Sequence, residues 1–181
     1  MNSVFALFVV LALLPLGAHA AHTAAPAAQS ALDQAVALDK DKKPAEALAT
    51  FIQAIEADPE FLAAHERLEE FSSDWRDAAY RHKELKPQVD AMEKTINAKY
   101  KEWERRFPHS FGISYGMGAR LQGKEDPKAL AYLLEAARRD PNNAKVYNML
   151  RMNAEFRGDK QAAADYSLKA SSLGKRLAMS R

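Results

Sequence analysis

The chain has 181 residues, with 26 Lys and Arg against 24 Asp and Glu and no cysteine. A net charge of +2 supplies no basic excess for holding nucleic acid. The absence of cysteine removes thiol catalysis, disulfides, thiolate metal sites and a lipidated-cysteine anchor.

Residues 4–14 are an unbroken apolar run, as long as a signal-peptide core and too short for a membrane span of about 20 residues. Pro15 and Gly17 break any helix there, and Ala18-His19-Ala20 supplies the small residues of an A-x-A cleavage site. Residues 1–20 are therefore read as a signal peptide cleaved after Ala20. No Lys or Arg precedes the apolar core, so an uncleaved N-terminal anchor is the alternative. Residues 21–28 are small, lack large apolar side chains and read as a flexible lead-in.

From there the chain is rich in Ala, Leu, Glu, Lys, Gln and Arg, and β-branched residues never alternate with polar ones. Nine helices are predicted over residues 29–41, 44–57, 59–71, 73–85, 87–107, 110–122, 127–139, 142–157 and 159–173. Asp58-Pro59, Asp126-Pro127 and Asp140-Pro141 each place a capping acid before a proline suited to a first helical turn. Gly158-Asp159 ends one helix and caps the next, and Gly174 ends the last, leaving 177–181 as a tail. Short links force successive helices into antiparallel hairpins, so the fold class is all-α. The helix at 87–107 carries Val89, Met92, Ile96, Tyr100, Trp103 and Phe107 as one apolar stripe, with charges of both signs elsewhere. Packing against neighbours explains it; a protruding partner-holding helix or a dimer seam is the alternative.

The helices repeat. Ala129 and Ala163 are 34 residues apart, as are Ala136 and Ala170. Ala47 and Ala129, Ala54 and Ala136, and Pro59 and Pro141 are each 82 apart, the length of one 34-residue unit and one carrying fourteen extra residues. A 34-residue helix-turn-helix period resembles the tetratricopeptide repeat. The family pattern of small, aromatic, small and proline residues falls on Ala47, Phe51, Ala54 and Pro59, with Ala35 and Leu38 upstream. It recurs as Ala129, Leu133, Ala136 and Pro141 after Gly118 and Leu121. A third unit has Tyr147, Leu150, Gly158, Ala163 and Ala170, with Arg151 where the family has a small residue and Lys175 in place of the proline. The unit at about 62–109 matches poorly.

The resemblance implies stacked hairpins over residues 29–176, forming a tetratricopeptide-like superhelix that binds a protein or peptide on the concave surface lined by the first helix of each hairpin. By register, Tyr115, Lys145, Asn148 and Met152 face that groove, and Leu32 and Val36 take the same places in the first unit. The basic-and-asparagine clamp some relatives use for carboxylates is not reproduced. A second resemblance, of residues 107–148 to helical regions that precede thioredoxin-like domains, implies an accessory scaffold to an exported redox system.

No catalytic residue, metal site or cofactor is nominated. His65-Glu66-Arg67-Leu68-Glu69 begins like the zincin motif, but Glu69 stands in place of the second histidine, and two ligands are too few for a tight site. The other histidines are isolated and are taken as surface or interface residues. Gly112, Gly116 and Gly118 follow no strand and precede no Lys-Ser/Thr, so they are assigned to close helix packing rather than phosphate binding. Aromatic and basic residues interleave from Tyr100 to Tyr115, but the acids among them disfavour nucleic acid and membrane surfaces. The reading is thus a non-catalytic scaffold, exported to the periplasm or secreted. N-terminal sequencing of the native protein should begin at Ala21; recovery of intact Met1 from the cytoplasm contradicts export.

Overall fold

The computed structural model describes residues 22–122 and 126–179, with side chains up to Arg176. The signal segment, its cleavage site and the last two residues lie outside the described residues. The elements in chain order are α1 (Pro26–Lys40), α2 (Pro44–Ala57), α3 (Leu62–Arg81), a 3-10 turn at Lys83–Leu85, α4 (Lys86–Arg106), α5 (Phe111–Gln122), α6 (Ala129–Arg139), α7 (Ala144–Phe156) and α8 (Lys160–Met179). No strand occurs among the described residues.

Each odd helix pairs with the even helix that follows it, most extensively in α1/α2, α5/α6 and α7/α8. The odd helices touch in succession, α1 to α3, α3 to α5 and α5 to α7, forming one layer. In the other layer α2 meets α4, and the Tyr132 hydroxyl of α6 donates to Glu104 of α4 at 2.8 Å. This is the stacked-hairpin architecture expected of the repeat.

The repeat residues explain the stacking. Ala35, Ala47, Ala54, Ala129, Ala136 and Leu133 have no exposed surface, and Phe51 has 2%. Their small side chains let helices cross closely, while Phe51 and Leu133 fill the gaps between hairpins. Gly118 sits at such a crossing: a Cβ there would lie 2.6 Å from Leu133 Cδ2. Gly112 is pressed against the backbone of Pro59, and Gly116 against the His65 and Tyr100 side chains. The turns repeat as well. Asp58, Asp126 and Asp140 each accept the N–H two residues on, from Glu60, Lys128 and Asn142. Lys42 (φ 60°) and Gly158 (φ 73°) hold equivalent places in the first and last hairpin turns. Glycine adopts this left-handed backbone freely, whereas lysine does so at a cost of about 1 kcal/mol.

Several boundaries differ from the sequence expectation. The helices expected at 59–71 and 73–85 are one, α3, so eight α-helices are described rather than nine. Neither glycine nor proline interrupts residues 62–81, and Ser72, between the two expected helices, donates its hydroxyl across to Glu93 of α4. The Asp-Pro turns delay helix onset: α3, α6 and α7 start at Leu62, Ala129 and Ala144. The lead-in is partly helical. Pro26 opens α1 and Ala28 is fully buried. The Asp58 carboxylate reaches back to it, accepting from Ala25 N at 2.9 Å and bonding His22 Nε2 at 2.8 Å. Burial would push that carboxyl up, but the Ala25 N–H, the His22 ring and the Glu60 N–H together hold it below the usual carboxylate range. At the other end Gly174 does not stop α8, which continues through residues 177–179 of the expected tail.

The outer face of the last hairpin departs from the preceding one. Leu130, Leu133 and Ala137 of α6 meet the next hairpin; 34 residues on, α8 carries Ala164, Ser167 and Ser171. An open cleft of about 620 Å³ remains there, bordered by Arg151, Glu155, Lys160 and Ser167.

Ala136 has no exposed surface and packs among Leu133, Val146 and Leu150. Ala136→Leu should overpack this crossing and destabilise the fold by about 1–3 kcal/mol, measured as a lower urea midpoint. An unchanged midpoint would refute the repeat register.

Candidate protein-binding surface

The layer of odd helices is the surface on which the repeat resemblance places a partner. Its centre is α3, whose Glu66 is approached from two neighbouring helices. The Tyr115 hydroxyl of α5 donates to Glu66 Oε1 at 3.1 Å, and Lys145 Nζ of α7 lies 2.6 Å from Glu66 Oε2. Three hairpins are thereby tied at one carboxylate.

This geometry corrects the expected roles. Tyr115 is 4% exposed, its ring packed in the core of α5–α7 beside Phe111. Burial, with Glu66 and Glu70 nearby, pushes its phenol far above the ordinary range, so it remains a neutral donor. It therefore cannot offer a ring face to a ligand. Lys145 is exposed but ion-paired, so its attraction for an acidic ligand is largely spent on Glu66. Leu32 is 6% exposed and belongs to the core, and Val36 is half-buried. Asn148 and Met152 are exposed as expected. Phe156, which the sequence reading passed over, is 68% exposed one turn beyond Met152. Their spacing along α7 at 148, 152 and 156 was a legible helical stripe.

Beneath this surface lies a polar junction that sequence reasoning missed. Arg120 of α5, with 2% of its side chain exposed, reaches two helices. Its Nη1 lies 3.1 Å from Glu69 of α3, its Nη2 lies 2.9 Å from Glu93 of α4, and its Nε donates to Asn97 at 2.8 Å. Arg76 adds a second cation 3.1 Å from Glu93. Burial pushes the Glu69 carboxyl up, Glu93 reinforces that shift, and Arg120 and Arg76 oppose it. No local motif announces these contacts, because the partners lie on three helices.

His65 adjoins this junction and is fully buried. Its Nε2 lies 3.0 Å from the Pro59 carbonyl and its Nδ1 3.2 Å from the Tyr100 hydroxyl. Both nitrogens of the zincin-like histidine are thus engaged in packing. Glu69, its motif partner, faces Arg120. Among the described residues no group of three His, Cys, Asp or Glu converges as a metal site, and no helix is long and apolar enough to cross a membrane.

No protein-family model matches the chain, and no curated protein matches it. Among solved structures it is similar to "MamA RS-1 ArsTM double mutant", at 16% identity over 83% of this chain and 76% of that one, with a TM-score of 0.50. That neighbour is a tetratricopeptide-like all-α protein. The likeness is one of fold.

Burial lowers the His65 pKa from 6.5 to about 4, against the opposing Pro59 carbonyl and Asp58 charge. The unfolded chain therefore takes up a proton that the folded chain refuses. The stability this confers is full above about pH 6.5 and is lost as pH falls towards 4, on the order of 3 kcal/mol. Urea midpoints should fall across that window, and NMR should show one imidazole that stays neutral below pH 5. Titration of every histidine near 6.5 would contradict this account.

Proposed function

We propose that this chain is an exported, non-catalytic scaffold that holds a protein or peptide segment on its layer of odd helices. The observation that carries the reading is the exposed face of α7, where Asn148, Met152 and Phe156 line up beside the Glu66–Lys145 pair. Met152 and Phe156 offer apolar area for burial, and Asn148 can both donate to and accept from a peptide backbone. The Glu66 tie holds α3, α5 and α7 in fixed relation, so a ligand would meet an ordered surface and lose less to ordering on binding. Export is supported by the apolar run at 4–14 followed by Ala18-His19-Ala20.

The surface is tested by capturing partners from a native extract with the wild-type chain and two variants. Asn148→Glu with Met152→Glu should weaken retention of the principal partner at least tenfold, about 1.4 kcal/mol. Leu168→Glu, on the exposed side of α8, should leave it unchanged. Loss with Leu168→Glu and retention with the α7 variant would move the binding surface to the even helices.

A further inference from the structure

A cleft of about 350 Å³ separates the C-terminal end of α1 from that of α3, a volume at the lower end of the range for small-ligand sites. Asp39 and Lys42 line one wall, and Asp74, Trp75, Ala78 and Arg81 line the other. Asp74, Ala78 and Arg81 are spaced four and three residues apart and share one face of α3. The Asp74 carboxylate and the Arg81 guanidinium leave that helix about 10 Å apart along its axis. α1 and α3 are alternate members of an antiparallel stack, so they run the same way. The Trp75 indole, donating to Asp39, sets their ends side by side. Asp39 and Lys42 therefore repeat on the first wall the order of Asp74 and Arg81 on the second. The cleft has carboxylates at one end, cations at the other and an indole between them. Two observations set it apart from ordinary surface. Among the described residues the side chains of Lys42, Asp74 and Arg81 make no hydrogen bond or ion pair. Lys42 also has a φ of 60°, where the matching turn of the last hairpin has Gly158. A lysine costs that turn stability that a glycine would not, and the fold makes no use of its ammonium. Backbone strain of this kind collects at ligand sites.

We infer that this cleft binds a short free peptide of about three residues, its amino terminus held by Asp39 and Asp74, its carboxylate by Lys42 and Arg81, and an apolar middle side chain laid on Trp75. The length follows from the spacing of the charges. An extended chain advances about 3.3–3.6 Å per residue, so three residues reach from the carboxylate end to the cationic end. A single amino acid carries both charges on one carbon and cannot reach both. A segment within a longer chain has neither terminal charge to offer. The Trp75 side chain is half-buried, which leaves part of its ring to receive an apolar group. Both termini of the peptide would gain charge-assisted hydrogen bonds. The cleft lies at the ends of α1 and α3 and not on the exposed stripe of α7, so it does not depend on binding there.

The test titrates the free tripeptide Ala-Phe-Ala into the full chain and follows tryptophan emission. Of the two tryptophans, Trp103 has no exposed surface, so a change on binding reports Trp75. The emission should shift saturably. N-acetylated and C-amidated Ala-Phe-Ala each lack one terminal charge and should bind about fivefold more weakly. Free phenylalanine should bind more weakly still. Lys42→Gly removes the ammonium and relieves the turn, so it should raise the urea midpoint while weakening Ala-Phe-Ala about fivefold. Arg81→Gln, at an exposed position, should weaken the tripeptide to a similar extent with the midpoint little changed. No saturable shift with Ala-Phe-Ala overturns the inference. So does equal binding of the capped peptides, which would mean that the cleft reads the phenyl ring alone, and so does wild-type affinity in Lys42→Gly.

Discussion

The guanidinium of Arg120 fixes how the two halves of the chain stack. It leaves α5 and lies between a carboxylate of α3 and a carboxylate of α4, with Asn97 completing its bonds. Two apolar clusters flank this junction, one of α1–α4 with Ile113 and one of α5–α7. Apolar packing alone tolerates small slides of one helix along another. A buried charge does not, because a slid α5 would strand it without a partner at a cost of about 3–5 kcal/mol. His65 and Tyr100 extend the polar seam, and Gly112 and Gly116 bring α5 close enough for it to form. The net gain in stability over an apolar seam is small; what the junction supplies is a single register.

Much of the architecture was legible because the repeat is local. Ala47, Ala54, Ala129 and Ala136 mark crossings, and Asp-Pro pairs mark turns within and between hairpins, each readable from a few neighbouring residues. Gly158 and Asp159 also acted as their types suggest, the glycine taking a positive φ and the aspartate accepting from Ala162 N. The fused α3 escaped because two serines in a row look like a helix end. Inside α3, Ser72 donates to the distant Glu93 and accepts from Arg76 one turn on. Tyr115 escaped for a similar reason: register assigned it to the groove, while Glu66, nearly fifty residues earlier in sequence, claims its hydroxyl. The lead-in looked featureless because its one informative partner, Asp58, lies at the far end of α2.

The extra length of the second hairpin has a physical use. α3 and α4 have 20 and 21 residues, against 15 and 14 for α1 and α2 and 12 and 11 for α5 and α6. The added turns of α3 pass beyond the end of α1, where the Trp75 indole donates to Asp39 at 3.2 Å. A cleft of about 350 Å³ opens there between Lys42, Trp75 and Arg81. The long hairpin thus acts as the spine of the array. It carries both carboxylates that hold Arg120 and the Glu66 that steadies α7, so the exposed stripe of α7 is positioned by a side chain four helices earlier in the chain.

The polar outer face of α8 determines where such an array can end. Every internal junction withdraws leucine or phenylalanine from water when the next hairpin arrives. Ala164, Ser167 and Ser171 offer almost no such return, and the serine hydroxyls would lose hydration for little contact in exchange. At these three positions another hairpin would gain less than at the internal junctions, and Leu168 is the large apolar side chain left exposed on the described part of α8. A designer who wished to lengthen the array would need to restore large apolar side chains at these three positions before another hairpin would stay.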